Sequence, residues 1–181
     1  MDGFREAPAG PAIVISGVAG SGKSTLGRAL ALTLRSPLLD LDTLTNPLLD
    51  ALPRGSDEPH WLASRGAAAI REGRYAALRE TAREVLATAG SVVLVAPFTA
   101  ELRGGREWHS LLAALAPARP LVVQLVGDPS LFASRRSARG EERDAHRPDD
   151  PIVPVPAIPV LSVDAELTTD QQVARVLREV S

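Results

Sequence analysis

The sequence predicts an α/β fold, an open parallel sheet of five strands with helices on both faces. Three observations carry that expectation. Five short apolar runs rich in β-branched residues alternate with segments of helical periodicity, an alternation that right-handed crossovers close into a parallel sheet. Most of these runs are apolar throughout instead of alternating with polar residues, as strands covered on both faces are. The first of them opens directly into glycines and then a helix. With 181 residues, 45% of them hydrophobic and 23% charged, the chain has the material for one core, and residues 1–181 are expected to form a single domain.

Residues 1–11 lack the charged start and continuous apolar stretch of a signal peptide and are expected to form a flexible leader. Ala12-Ile13-Val14-Ile15-Ser16 is the first strand, ended by Gly17. From Lys23 to Arg35 the residues Leu26, Ala29, Leu30, Thr33 and Leu34 recur at three and four, the period of an amphipathic helix. Pro37 to Asp42 is the second strand, and Thr43 to Leu52 starts another helix. Trp61 to Ala89 has a long helical composition with a possible interruption at Gly73, and Gly90 stops it. Ser91 to Ala96 is the third strand, and Glu101 to Ala116 is helical despite Gly104-Gly105. Leu121 to Val126 is the fourth strand, followed by a helix from about Ser130. Pro154, Pro156 and Pro159 confine the fifth strand to residues 159–163, and Asp170 to Val180 closes with a helix.

Composition narrows the chemistry. Lys+Arg of 20 against Asp+Glu of 22 leaves a formal charge of −2, which supplies no general field for nucleic acid or an anionic membrane. No apolar run approaches the roughly 18 residues of a membrane span, and a soluble, cytoplasmic protein is expected. Without cysteine, disulfides, thiolate metal sites and cysteine nucleophiles are excluded. Of the 20 basic residues 19 are arginine, and Lys23 is the exception. A GC-rich coding bias accounts for the arginines; a retained lysine marks a place where a compact ammonium is needed and a guanidinium fork does not serve.

Lys23 lies in Gly17-Val18-Ala19-Gly20-Ser21-Gly22-Lys23-Ser24, which fits G-x-x-x-x-G-K-[ST], with Thr25 next. The glycines let successive backbone N–H groups converge on an anion, and the following helix adds its positive end. Lys23 then reaches the β- and γ-phosphates of a nucleoside triphosphate, and the Ser24 hydroxyl can ligate Mg²⁺. Chance produces this pattern only on the order of 10⁻³ times in such a chain, and here the strand before and helix after are also present. Gly17, Ala19, Gly20, Ser21, Gly22, Lys23, Ser24 and Thr25 are therefore the expected nucleotide-binding residues. Open sheets bind ligands beyond the carboxyl ends of their strands, which brings Gly17, Asp40, Asp42, Pro97, Thr99 and Asp128 to one rim.

This loop, followed after one helix by Leu39-Asp40-Leu41-Asp42, resembles the small P-loop kinases: gluconate kinase, shikimate kinase and the chloramphenicol phosphotransferase-like proteins. The resemblance covers the chain in element order, with its sharp motifs in the first quarter and in an arginine segment near residue 140. It implies a three-layer P-loop NTPase fold with a five-stranded parallel core and a mobile arginine-rich lid, and transfer of the ATP γ-phosphate to a hydroxyl of a small molecule with Mg²⁺. It also implies that an aspartate at the end of the second strand holds the acceptor hydroxyl and takes its proton, while a neighbour organises the metal through water. Asp42, nearer the rim, is assigned the hydroxyl, and Asp40 the metal beside Ser24. As ends of a strand, the two carboxylates would share one face. The alternative is that Asp42 caps the helix that begins near Thr43, a role that does not exclude the first.

Arg135, Arg136, Arg139, Arg143 and Arg147 form a second constellation, and four of them recur every fourth residue. Two readings stand open. One is a solvated helix face paired with Glu141, Glu142 and Asp144. The other is a lid over residues 135–150, since guanidinium groups stabilise the charge spread over a moving phosphoryl group. Arg-x-x-x-Arg-Gly-x-x-Arg-Asp, from Arg135 to Asp144, is similar to lids of the small kinases. On that reading Arg139 and Arg143 contact phosphate, and Arg135 or Arg136 stacks on adenine.

The third strand ends in Pro97-Phe98-Thr99 without a carboxylate, so Mg²⁺ would depend on Ser24, phosphates and water, an arrangement suited to small-molecule kinases more than to hydrolytic motors or switches. No guanine-selecting motif is present. The acceptor is expected among the helices of residues 43–89, with Arg65 and Arg74, and beside Thr99 and Arg103 past the third strand. Trp61 and Tyr75 suit a core more than a sugar platform. His60, His109 and His146 lack metal-ligand spacing. The sequence thus predicts a Mg·ATP-dependent phosphotransferase acting on a small hydroxyl-bearing metabolite or natural product, as a monomer or homodimer. Its rivals are a nucleoside or nucleoside monophosphate kinase and an ATP-binding regulatory module with little turnover.

Overall fold

The computed structural model describes residues 10–52, 61, 64–139 and 155–180. Over them the chain runs β1 (Ala12–Ser16), α1 (Lys23–Leu34), β2 (Leu38–Asp40), α2 (Leu41–Asp50), α3 (Ala67–Ala89), β3 (Val92–Val95), a 3₁₀ turn (Glu101–Arg103), α4 (Gly105–Leu115), β4 (Leu121–Val126), α5 (Pro129–Arg139), β5 (Leu161–Asp164) and α6 (Thr169–Val180). All five strands are parallel, in the order β2-β3-β1-β4-β5. The expected α/β class and five-stranded parallel core are what the chain adopts.

Strand periodicity divides the core into two. Ala12 and Val14 of β1 face Tyr75, Leu78, Leu111 and Leu115, so α3 and α4 cover that side. Ile13 and Ile15 face Leu26, Leu30 and Val176, so α1 and α6 cover the other. Central β1 is buried along its whole length, which explains why it reads as an unbroken apolar run.

Several boundaries differ from the sequence expectation, each for a local reason. β2 stops at Asp40, whose side chain accepts hydrogen bonds from the backbone N–H groups of Asp42 and Thr43 and so opens α2 at once. The expected strand end at Asp42 is corrected: Asp42 lies in the first turn of α2, and the helix cap is Asp40. α3 runs through Gly73 without a break, because Tyr75, Leu78 and Ala82 pin its inner face. The helix expected over 101–116 is divided by Gly104 and Gly105, both at φ +75°, a conformation that glycine adopts at little cost. Among the described residues no helix is long and apolar enough to cross a membrane.

Gly27 decides how closely α1 meets the sheet. A Cβ there would lie 2.4 Å from Val95 Cγ2, so any side chain must push the helix off its strand. Gly27→Val is expected to cost about 1–3 kcal/mol through overpacking. A lower urea midpoint at unchanged m-value is the measurement that checks it.

Candidate functional site

The loop between β1 and α1 has the shape its spacing predicts. Gly20 and Gly22 adopt φ +84° and +91°, and Ser21 N–H donates to Val18 O at 3.2 Å to close the turn. A Cβ on Gly22 would meet only Arg135 Nη1, at 3.9 Å, whereas one on Gly20 would stand 2.4 Å from Phe132 O. One glycine therefore leaves an open mouth, and the other lets α5 lie against the loop. Gly17 is as crowded: a Cβ would fall 2.4 Å from Ser21 Oγ, a buried hydroxyl without a hydrogen-bond partner among the described residues. Lys23 Nζ donates to Val18 O at 3.4 Å across the loop, and Thr25 is exposed on the first turn of α1.

Three contacts fix the elements around this loop, one of them to the loop itself. Ser16 Oγ donates to Pro97 O at 2.7 Å, tying the end of β1 to the segment after β3. Arg136 Nη1 donates to Ala19 O at 3.2 Å, and Arg135 Nη2 to Ala165 O at 3.1 Å. The arginines at the start of the expected lid thus stand beside the phosphate loop, on the C-terminal half of α5. Arg139 ends α5; residues 140–150, with Arg143 and the rest of the expected lid, lie outside the described residues, as do residues 1–9 of the leader and His60.

Ser24 Oγ donates to Asp40 Oδ2 at 2.6 Å, while the other oxygen of Asp40 holds the start of α2. A hydroxyl and a carboxylate oxygen at the mouth of an anion-binding loop form an all-oxygen donor set, which suits Mg²⁺. Among the described residues no group of three or more His, Asp or Glu could hold a metal unaided. A Mg²⁺ ion here would take its remaining ligands from phosphate and water, with Ser24 as direct ligand and Asp40 behind it.

Asp42 does not share a strand face with Asp40. Its Oδ1 accepts from Arg74 Nη2 at 2.6 Å, in a pair whose side chains are 26% and 11% exposed. Arg74 also donates to Thr45 Oγ1 at 2.7 Å and Asn46 Oδ1 at 2.8 Å, and its guanidinium lies 4.9 Å from the Trp61 ring. Four groups, three on α2 and Trp61 between α2 and α3, thus hold one arginine of α3, and that arginine orients Asp42. Thr45 and Asn46 were invisible as partners in the sequence because they act only through their helical spacing from Asp42.

The other expected acceptor residues separate. Thr99 accepts from Arg71 Nη2 at 3.4 Å, and Arg71 lies 4.4 Å from the Tyr75 ring. Arg65 is exposed before α3 and Arg103 is exposed on the 3₁₀ turn; no contact among the described residues joins either to the Asp42–Arg74 cluster. Trp61 and Tyr75 are buried at 7% and 5% exposure, as a core reading requires. Tyr75 still has a polar duty, accepting from Phe98 N–H at 3.1 Å, and burial pushes its hydroxyl above 10.0.

Glu101, which the sequence marks only as a helix start, is buried on the 3₁₀ turn. Burial pushes its carboxyl above 4.5, with its own backbone N–H, Arg71 and Arg79 opposing. The folded chain then keeps a proton that the unfolded chain has released, so the contribution of this group to stability falls as pH rises from 4.5 through the folded pKa. Glu101→Gln is expected to remove that fall, and its Tm should gain on the parent as pH rises above 4.5, a trend that thermal melts across pH will check.

With this geometry in view, the comparisons with known proteins define the class. Residues 13–151 match the family model described as an AAA domain, and the chain belongs to that family of P-loop proteins. A shikimate kinase from Enterococcus faecalis is 38% identical over 84 residues, 45% of this chain and 47% of that protein, so the match spans about half the length of the curated relative. A candidate kinase from Chloroflexus aurantiacus superposes with a TM-score of 0.68 at 23% identity, over 98% of this chain and 100% of that one. A gluconokinase from Sinorhizobium meliloti gives 0.62 at 19% identity, over 96% and 93% of the chains. The APS kinase of Mycobacterium tuberculosis, in complex with AMPPNP and APS, gives 0.66 at 18% identity, over 95% and 98%. The fold is that of the small P-loop kinases.

Proposed function

We propose that the protein is a Mg·ATP-dependent phosphotransferase that moves the γ-phosphoryl group to a hydroxyl of a small molecule. One observation carries the reading: the Ser24–Asp40 hydrogen bond at 2.6 Å brings the acidic start of α2 to the mouth of the phosphate loop, so a triphosphate in the loop meets a carboxylate pair at its distal end. Bound Mg²⁺ would neutralise charge developing between the β- and γ-phosphates. The loop amides and Lys23 hold the triphosphate, and Ser24 with Asp40 fixes the metal's place. Asp42, oriented by Arg74, accepts the proton of the acceptor hydroxyl as its oxygen bonds to phosphorus and the bond to the β-phosphate oxygen breaks. Such a reaction asks mainly for positioning and charge stabilisation.

Arg136 is bonded to Ala19 O of the loop and Arg135 to Ala165 O, which supports a part for them in nucleotide binding. The proposed contribution of Arg139 and Arg143 rests on the sequence pattern alone. The shikimate kinase, gluconokinase and APS kinase likenesses support a small-molecule acceptor. The deciding experiment follows label from [γ-³²P]ATP into a panel of sugars, polyols, nucleosides, nucleoside monophosphates and antibiotics, with a thermal-shift screen in parallel. Label in a sugar, polyol or antibiotic that depends on Asp42 supports the reading. Transfer confined to nucleosides or their monophosphates moves the protein to the nucleotide kinases, and ATP binding without transfer to any acceptor makes it a regulatory module.

A further inference from the structure

The turn after β3 is held in a conformation that its residues do not favour. Phe98 has φ +48°, in the left-handed region, where a bulky side chain costs energy. The other non-glycine residue there among the described residues, Arg35, is exposed and closes α1 as its C-cap, an ordinary place for that conformation. Phe98 has no such duty: it is 1% exposed and lies just past a strand. Side chains from β1 and α3 fix the turn at three successive residues. Ser16 Oγ, on the last residue of β1, donates to Pro97 O at 2.7 Å. The Tyr75 hydroxyl accepts the Phe98 N–H at 3.1 Å, and the two rings meet edge-on with centroids 5.9 Å apart. Arg71 Nη2 donates to Thr99 Oγ1 at 3.4 Å. A strained conformation persists only where its surroundings over-determine it, and such places cluster at reaction sites and ligand clamps.

The place of this turn in the sheet says what the strain serves. β3 runs between β2 and β1, with Asp40 and Ile15 level with Val95 on its two sides. The chain leaving β3 therefore stands between the phosphate loop, which leaves β1, and the Asp40–Asp42 corner, which leaves β2. An acceptor reaching from Asp42 to a phosphate in the loop passes over it. Thr99 still has donors to offer there. Its oxygen receives Arg71, and among the described residues neither its hydroxyl hydrogen nor its N–H has an acceptor. We propose that Tyr75 is a positioning residue for phosphoryl transfer: by accepting the Phe98 N–H it holds the strained turn that presents these two Thr99 donors to an oxygen of the acceptor. The proposal rests on the phosphotransferase reading above. Two donors side by side suit a hydroxyl or carboxylate oxygen and offer nothing to an ammonium. Tyr75 itself touches no substrate in this arrangement; without its hydroxyl, Phe98 N–H is buried unpaired and the turn is released towards an ordinary φ.

The test compares the full chain with Tyr75→Phe, which keeps the ring and loses only the hydroxyl, with Thr99→Val, and with the double variant. Val85→Ala, on the same helix and packed against the same core, controls for lost stability. Label transfer from γ-³²P-labelled ATP to D-gluconate, D-glucose, myo-inositol and AMP gives kcat and KM, and calorimetry with a non-hydrolysable ATP analogue gives Kd. Tyr75→Phe is expected to lower kcat/KM for the preferred acceptor about 10–100-fold, the effect of a misplaced substrate, with the nucleotide Kd near that of the parent. It should also send a larger share of the phosphate to water. In the double variant the two losses should overlap and fall well short of their product, because both act through one turn. Val85→Ala should lower Tm and leave kcat/KM and the water share near those of the parent. A merely structural Tyr75 would behave like Val85→Ala, and that result overturns the proposal while the surviving transfer keeps the phosphotransferase standing. Losses that multiply in the double variant overturn it equally. Should Tyr75→Phe fail to fold, Thr99→Val decides alone, and a parent-like kcat/KM there is fatal to the proposal. Tyr75-dependent transfer confined to AMP keeps the positioning role and moves the protein to the nucleotide kinases. A parent chain that labels none of the probes removes both readings.

Discussion

Asp42→Asn is expected to slow phosphoryl transfer by about 10²–10⁴-fold, the range in which a positioned general base contributes, while ATP affinity stays near that of the parent. Asparagine keeps the size and one accepting oxygen, so the hydrogen bond from Arg74 Nη2, 2.6 Å in the parent, survives without its charge. Arg74 also retains Thr45 and Asn46. The ion pair is partly exposed, so the stability loss should stay at about 1–2 kcal/mol, between the values for surface and buried pairs. Single-turnover label transfer at saturating ATP separates the two effects. A rate within five-fold of the parent, with the nucleotide bound, would remove Asp42 from proton transfer and leave it a structural anchor of Arg74.

Lys23→Ala is expected to act earlier in the cycle and almost as strongly. Nζ sits across the phosphate loop, 3.4 Å from Val18 O, with the amino end of α1 beside it. Removing a charged donor aimed at a transferring phosphoryl group costs about 10²–10³ in rate, and the loss of ground-state contact should weaken ATP as well. Lys23→Arg is the sharper probe. A chain that uses arginine at 19 of its 20 basic positions could have used it here, yet a planar fork is bulkier than an ammonium and projects its donors differently. Arginine should therefore rescue little, with kcat/KM and the calorimetric Kd both remaining impaired. Full rescue would make position 23 a generic cation site and would weaken the assignment of the loop to a triphosphate.

Both predictions rest on residues legible in the sequence, and the contrast with what was not legible is physical. Gly20, Gly22 and Lys23 announce themselves because a cradle of main-chain amides demands particular residue types at fixed offsets, so pattern and geometry are nearly the same statement. β1, β3 and β4 were equally plain, since strands covered on both faces leave unbroken apolar runs. The junction at Asp40 was harder. A strand that ends with its last residue serving as the next helix's cap gives no intervening turn to read, and Asp42 was accordingly placed one element too early. Partnerships across α2 and α3, such as Arg74 with Asp42 and Asn46, span about 30 positions of chain, and no local spacing encodes them. Glu101 was the least visible. An acid behind an aromatic and a threonine looks like any solvated helix start, and its burial follows only from the way Gly104 and Gly105 turn α4 back over it.

Gly20 lies within the phosphate loop and Gly27 on the helix that follows it, and each owes its identity to a neighbour that leaves no room for a methyl group: Phe132 O for the first and Val95 Cγ2 for the second. Wedged from both directions, the seat for the anion is already shaped before a guest arrives. Little of the attraction between amides and phosphate is then spent on ordering the backbone. The same confinement makes drift at these two positions hard to tolerate, because a variant that relieved one contact would loosen the receptor along with the fold.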